Sequence, residues 1–394
     1  MEVNMIYFVG IDIAKYKHDC FIATETTIVT KTPLTFENAK EGFSILLDLL
    51  SSLDQQNEIR IGFEATGHYG NNLKQFLEKC HYSFMELNPL LVQRFKTTTS
   101  LRRTKTDKSD AITIACYLST VDYKPYPIKF YHIYSLKSLT RLRDSFVKEC
   151  SKHLVRLTNV LDYIFPELKP FFNDKFSATL FYLLKHFPSS QHMSQMNQED
   201  YLQMSKCLRH TISYAKFVKL VELANNTIGN VNELKLFELN ICLSSYQSVE
   251  TQIERLENEI ITIAEEYHFK TATITGIGLI SAATIVAEFG DFSRFTSANC
   301  CLAYAGLDPA ISESGTMSFK GKMVKHGSGH LRYVLMNCAE ASLMHNLKFY
   351  DYYLRKRREG KSHRVALSHV ARKLVNIIFT LETKQIDYDY SLVK

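Results

Sequence analysis

A chain of 394 residues exceeds what one ordinary core fills, so two or three domains are expected. An apolar share of 45% beside 22% charged residues is that of a soluble globular protein, and no window approaches the roughly 20 apolar residues of a membrane span. The nine cysteines are scattered and form no C-x-x-C, which argues against a disulfide framework or a zinc ribbon and for thiols in a reducing cytoplasm. The net charge of +6 is unevenly spread: eleven Lys/Arg against three Asp/Glu lie between Lys320 and Arg364, and a second basic run extends from Arg94 to Lys108. Two basic zones favour a polyanionic partner, with solvated faces as the plainer alternative.

The opening MEVNMIYFVGIDIA has no secretory signature and reads as a first strand. MIYFVGIDIA and CFIATETTIVT are β-rich runs separated by a polar turn, KYKHD. A helix is expected from about Asn38 to Leu53, then the strand EIRIGFE, the helix NNLKQFLEKC, the strand YSFMELN and a helix from Asp107 to about Thr120. This alternation predicts an α/β domain over residues 1–125. The prolines of YKPYP mark a break. Beyond it, Leu136, Leu139, Leu142, Phe146, Leu154, Leu157 and Leu161 predict a long amphipathic helix. A second, SSYQSVETQIERLENEIITIAEEY, carries Ile253, Leu256, Ile260 and Ile263. The two read as coiled-coil arms of a helical middle, residues 126–268, that pack on each other or on a second subunit. From 269 to 394 small-residue helices and Gly-x-Gly turns predict a third, mostly α domain.

Four acidic residues stand where strands end or a helix begins: Asp12 in FVGIDIA, Glu64 in IGFEATG, and Asp107 with Asp110 in KTDKSDA. Asp12 lies in an apolar strand, where an unaccompanied charge is costly. Asp107 and Asp110, three apart at a helix start, share one face near the positive end of the helix dipole. Such a set suits Mg²⁺, which prefers oxygen ligands; two ions can stabilise the entering and leaving oxygens of a phosphodiester displacement. The plainer readings are an N-cap for Asp107, a solvated Asp110 and a salt-bridged Glu64.

GIDIAK, FEATGHYG and KTDKSDA resemble the amino-terminal domain of IS110/IS1111-type transposases, relatives of the Piv DNA invertases. The resemblance implies a RuvC-like, RNase H-type α/β fold whose Asp-Glu-Asp-Asp set binds metal, here Asp12, Glu64, Asp107 and Asp110, with two Mg²⁺ ions and Mn²⁺ as a substitute. TITGIGLISAATIVAEFGDFSRFTSANCCLAYAGLDPAISESG is similar to the family's carboxy-terminal domain. There Gly276 and Gly278 form a helix-hairpin-helix-like turn whose backbone N–H groups can approach a phosphate; a packing turn is the plainer reading. By the resemblance Ser314, in SESG, is the nucleophile that joins DNA, with Ser312 as competitor. Lys320, Lys322, Lys325 and Arg332 read as phosphate contacts beside it, Arg102, Arg103 and Lys105 as contacts near the acidic set, and RKRREGKSHR (355–364) as a further backbone contact or a solvated helix face. His326 and His330 are four apart but lack a third ligand for zinc.

The resemblance implies a metal-dependent, serine-assisted recombinase of an insertion sequence, catalytic through Asp12, Glu64, Asp107, Asp110 and Ser314. Its partners would be donor and target double-stranded DNA, a structured noncoding guide RNA, and further copies of itself in a dimer or tetramer. It would work in the prokaryotic cytoplasm at the nucleoid, away from membranes. The alternatives are a Holliday-junction resolvase or an invertase acting without guide RNA. GIDIA openings also occur in sugar kinases and actin-like ATPases, but the Gly-rich phosphate loops those need are absent here. A protein that only binds nucleic acid is the last alternative.

Overall fold

In the computed structural model the described residues are 5–65, 69–99, 107–125, 131–314, 317–323 and 327–390. Contacts divide the chain into two compact units, residues 1–135 with 286–394, and residues 136–285.

The first unit begins with a five-stranded sheet. Strands β1 (Ile6–Ile13), β2 (Lys17–Ala23) and β3 (Leu34–Glu37) form an antiparallel meander. After helix α1 (Lys40–Ser51), β4 (Glu58–Glu64) returns parallel to β1, and β5 (Phe84–Leu87) follows parallel to β4 across α2 (Asn71–Lys79). The strand order is β3-β2-β1-β4-β5. Helices α3 (Pro89–Thr99) and α4 (Asp107–Thr120) complete the domain. Pro89 at the first position of α3 suits a site whose N–H would have no helical acceptor.

Strand alternation sorts residues between two faces. Val9, Ile11, Ile13, Cys20, Ile22, Ile61 and Phe63 pack against α1 and α2. Phe8 and Leu87 meet Ile114 and Leu118 of α4 on the other face, and Phe21 meets Ala111 and Ala115. The α4 side is tightly apposed at Gly10, where a Cβ would stand 2.4 Å from the Ala111 carbonyl oxygen and 2.4 Å from the Ala115 nitrogen. Gly62 faces the Leu118 side chain, whose Cδ1 would lie 2.9 Å from a Cβ there.

The expected turn KYKHD is shorter in the structure. β2 already begins at Lys17, so His18 and Asp19 are strand residues and both are buried. Each polar side chain has a local environment that overrides its turn preference. His18 lies against Phe43, ring centroids 6.2 Å apart and nearly parallel, and edge-on to Phe36 at 5.3 Å. The Asp19 carboxylate accepts a hydrogen bond from the Thr35 hydroxyl of β3.

The second unit is helical. α5 (Tyr131–Ile164) leads into it, and α6 (Leu168–Phe171), α7 (Ala178–His186), α8 (Ser190–Ser194), α9 (Gln198–Cys207), α10 (Tyr214–Asn225) and α11 (Glu233–Tyr267) follow. α5 and α11, of 34 and 35 residues, are each roughly 50 Å long. They run antiparallel: Arg143 donates two hydrogen bonds to Glu257 (2.8 and 2.6 Å), while at the other end the Asn230 N–H reaches the Tyr163 carbonyl at 3.0 Å. The arms therefore pack on each other within one chain. Leu157, Leu161, Leu183, Phe217, Leu220 and Leu239 belong to the core they share with the short helices.

The segment returning to the first unit is α12 (Leu279–Phe289), α13 (Ala298–Ala305), the hairpin β6 (Pro309–Ser314) and β7 (Met317–Met323), then α14 (Gly329–His345), α15 (Leu347–Arg358) and α16 (His363–Lys384). α16 is its apolar centre, with Leu367, Val370, Ala371, Leu374, Ile378 and Leu381 buried. The mixed α/β sheet domain and the mostly helical remainder follow the expected layout; the β6–β7 hairpin was not foreseen.

Two consequences are measurable. Gly10→Ala should lower stability by roughly 1–3 kcal/mol in urea unfolding, because helix backbone rather than a movable side chain fills the space. Gly278→Ala, at an exposed glycine with nothing near its Cβ, should stay within about 0.5 kcal/mol of wild type. Burial, opposed by Asn38 and Asp19, holds the His18 imidazole below its ordinary 6.5. The unfolded chain therefore binds the proton first on acidification, so the stability contributed by the neutral ring is complete above pH 6.5 and falls as pH drops below it. His18→Leu should lose less stability than wild type between pH 6.5 and about pH 5, and equal losses would contradict this assignment.

Candidate functional site

Asp12 is the penultimate residue of β1 and Glu64 the last of β4. The parallel register pairs Gly10 with Gly62 and Ile11 with Phe63, so the next rung places Asp12 beside Glu64. Both fall on the α4 face, because Gly10 and Gly62, two residues earlier, are the glycines that α4 covers. Each side chain is half-buried. The carboxylates thus stand at the carboxyl ends of adjacent parallel strands, where open α/β sheets place their ligands.

α4 brings the other two acids to this end. Leu118 and Ile114 pack with Phe8, and Ala115 and Ala111 lie over Gly10, so the helix runs against the direction of β1. One turn before Ala111 the helix opens at Asp107. Its first turn therefore lies over the strand end that carries Asp12. Asp110 is half-buried and ion-paired with Lys96 of α3, and the Ser109 hydroxyl lies 3.5 Å from the same carboxylate oxygen. The side chain of Asp107 lies outside the described residues. Among the described residues no three His, Cys, Asp or Glu side chains are drawn together closely enough to hold a metal ion as they stand.

A fifth acid belongs to this rung. Asp19 is the direct cross-strand partner of Asp12, and Thr35 is the partner of Asp19. One rung therefore reads Thr35, Asp19, Asp12, Glu64, Leu87 across the five strands. Directly opposed residues have Cβ atoms ~5 Å apart, and like charges there are destabilising. Asp19 is 3% exposed and held by the Thr35 hydroxyl. Sequence reasoning missed it by assigning KYKHD to a turn. The available signal was register: Asp19 lies seven positions after Asp12, and a tight antiparallel turn places them opposite each other.

Ser314 is the last residue of β6, opposite Met317 of β7, and Ser312 is opposite Phe319. The base of the hairpin is clamped. Gly306 ends α13 at φ +66°, and a Cβ on Gly327 would come within 2.1 Å of the Tyr304 carbonyl oxygen and 2.4 Å of the Gly306 nitrogen. Beyond it Ser328 caps α14. Its hydroxyl accepts from the Leu331 N–H at 3.2 Å and donates to the buried Glu288 carboxylate at 2.9 Å, while its own N–H reaches the Tyr304 carbonyl at 3.1 Å. Arg332, in the first turn of α14, turns its guanidinium into this base. A Cβ on Gly306 would meet its Nη1 at 2.5 Å, and that nitrogen is buried with no hydrogen-bond partner among the described residues.

Gly276 takes a positive φ of +95°, and Gly278 immediately precedes α12 with nothing within 4 Å of a built Cβ. The backbone at the start of α12 is therefore open to a close-approaching group. Lys320 and Lys322 lie in β7. Arg102, Arg103, Lys105, Lys325 and His326 lie outside the described residues. Among the described residues no helix is long and apolar enough to cross a membrane.

Residues 9–166 match a transposase family model, that of the DEDD domain of IS110 type, and residues 270–354 match a second, the transposase IS116/IS110/IS902 family. The chain is 24% identical over 386 residues, 97% of each chain, to the pilin gene-inverting protein of Moraxella bovis. It is 23% identical over 415 residues, 98% of this chain and 96% of the relative, to the mini-circle putative transposase for IS117 of Streptomyces coelicolor. With the transposase for insertion sequence element IS1111A of Coxiella burnetii it shares 27% identity over 42% of this chain and 47% of that one.

The aligned acids lead to a testable expectation. Thr35→Val should lower stability by about 1 kcal/mol in urea unfolding, because it leaves the buried Asp19 carboxylate of this rung without its hydroxyl donor. With both of its domains matched and full-length relatives of the same kind, this chain belongs to the IS110 family of transposases.

Proposed function

We propose that this transposase cuts and rejoins DNA at a two-part centre, with the acidic rung of the sheet domain as one part and Ser314 as the other. The observation that carries the reading is the register of Asp12 beside Glu64, under the acidic first turn of α4. The donor chemistry fits Mg²⁺ or Mn²⁺: hard carboxylate oxygens of like charge gathered on one rung invite a cation, and in this structure the Lys96 ammonium plays that part for Asp110. Asp12, Glu64, Asp107 and Asp110 would hold the ions, which when bound supply charge stabilisation for the entering and leaving oxygens. The RNase H-like, RuvC-type assignment of the domain belongs to the same reading.

In that scheme the Ser314 Oγ loses its proton and attacks a backbone phosphorus. A phosphoserine ester forms as the P–O bond to the departing deoxyribose hydroxyl breaks. Attack by a second deoxyribose hydroxyl reverses the step and returns the proton to Ser314, so the bond energy is conserved and no external energy source is needed. The acidic sheet and the hairpin fall in the same compact unit, which favours one composite centre. The open backbone at Gly278 offers phosphate-binding donors. A structured guide RNA from the element and a homo-oligomer complete the proposal. Leu234, Phe237 and Ile241, at 81%, 67% and 52% exposure on one side of α11, give copies of the chain an apolar surface to share.

The test is a denaturant-resistant protein–DNA adduct on labelled DNA carrying the ends of the element. Wild type should form it, and Ser314→Ala and Asp12→Ala should each reduce it at least ~100-fold. Full adduct formation by Ser314→Ala would remove the serine from the scheme. Inversion without a guide is a second reading, favoured by the full-length match to a pilin gene-inverting protein. Sequencing the nucleic acid that copurifies separates the two: a unique structured RNA supports guidance, and its absence supports inversion.

A further inference from the structure

The carboxy-terminal family match ends at residue 354. Just beyond it, residues 355–373 hold eight Lys/Arg and one acid, Glu359. The helical hairpin of α15 and α16 brings three of these charges together around one ring. The Tyr352 centroid lies 4.2 Å from the Lys373 ammonium of α16, 4.9 Å from the Arg355 guanidinium and 5.6 Å from the Lys356 ammonium. Glu359 takes both of its contacts, at 2.8 and 2.9 Å, from Lys356. His369 is held below its ordinary value by burial and by Lys356, Arg372 and Lys361, and Lys373 by burial, Arg355 and Lys356. Cations from both helices therefore feel one another, and the one carboxylate within the segment cannot balance them.

We propose that the α15–α16 hairpin is a nucleic-acid backbone site that grips phosphates through Arg355, Lys361, Arg372 and Lys373, independently of base sequence. A helix C-terminus favours cations, but within about one turn, whereas this group extends onto a second helix. Tyr352 already carries cations over its ring, so it scaffolds charge rather than stacking a base. Ligands that match several fixed cations at once are polyphosphates, here a DNA or an RNA strand. The proposal rests on the reading that the chain works on nucleic acid, and it adds a surface built from residues other than the acidic rung and Ser314.

Binding of the full chain to a mixed-sequence DNA duplex and to an RNA duplex of the same sequence, across a salt series, tests it. Arg355 and Lys361 are exposed, so Arg355→Gln with Lys361→Gln should leave folding intact, as checked by helical circular dichroism. The slope of log affinity against log salt should fall by about 1–2 for that pair of changes. Arg355→Lys with Lys361→Arg should restore it. A change with DNA alone or RNA alone names the strand that occupies the site. Wild-type binding with an unchanged slope in the neutral variant, on both duplexes, overturns this surface alone; wild type that binds neither overturns the nucleic-acid reading and the surface together.

Discussion

The close approach of α4 to β1 at Gly10 is the contact on which the acidic site depends. With no side chain at Gly10 or Gly62, α4 can lie directly on the strands, and Leu118 and Ala111 register the helix along them. Its acidic start then falls over the strand ends that carry Asp12 and Glu64. A methyl group at Gly10 would lift the helix, and the placement of the acids would go with it. The glycines of IGFE and FVGID are therefore as much part of the site as the acids two residues after them.

Much of this was legible in the sequence because strands and helices of the first domain have different periods. The alternation of apolar residues in FVGIDIA and EIRIGFE indicated the strands, and the acids at their ends followed. What failed was local polarity as a guide to turns. KYKHD looked like loop, yet His18 stacks among phenylalanines and Asp19 is satisfied by Thr35, contacts made by residues some 16 to 25 positions away. The β6–β7 hairpin was missed for a similar reason: PAISESG and MSFKGKM alternate too weakly to announce strands, and only their mutual pairing makes them so. Residues 166–240 carry their sequence signal at the helix starts. Ser177, Ser189, Asn197, Ser213 and Asn232 each cap a helix through the side chain, with a full capping box at Asn197 and Asp200.

The two parts of the proposed centre are stabilised by opposite means. The acidic rung concentrates like charge on one face of a sheet whose other face is an apolar core, so its stability comes from packing and its chemistry from charge. The hairpin is fixed at its base by Gly306, Gly327 and the Ser328–Glu288 hydrogen bond, and Ser314 is the last residue of β6. Cations gather in the helical remainder: the Arg332 guanidinium is buried at the hairpin base, and Arg355, Lys356 and Lys373 share the Tyr352 ring.

The central claim is that the rung at Asp12 and Glu64 holds divalent metal. Titration of the chelator-treated chain with Mn²⁺, read by the loss of the free-ion electron paramagnetic resonance signal, tests it most directly. The account predicts saturable binding to wild type that is lost in Asp12→Ala and in Glu64→Ala with the fold intact. Equal binding by those variants, or none by wild type, would contradict it.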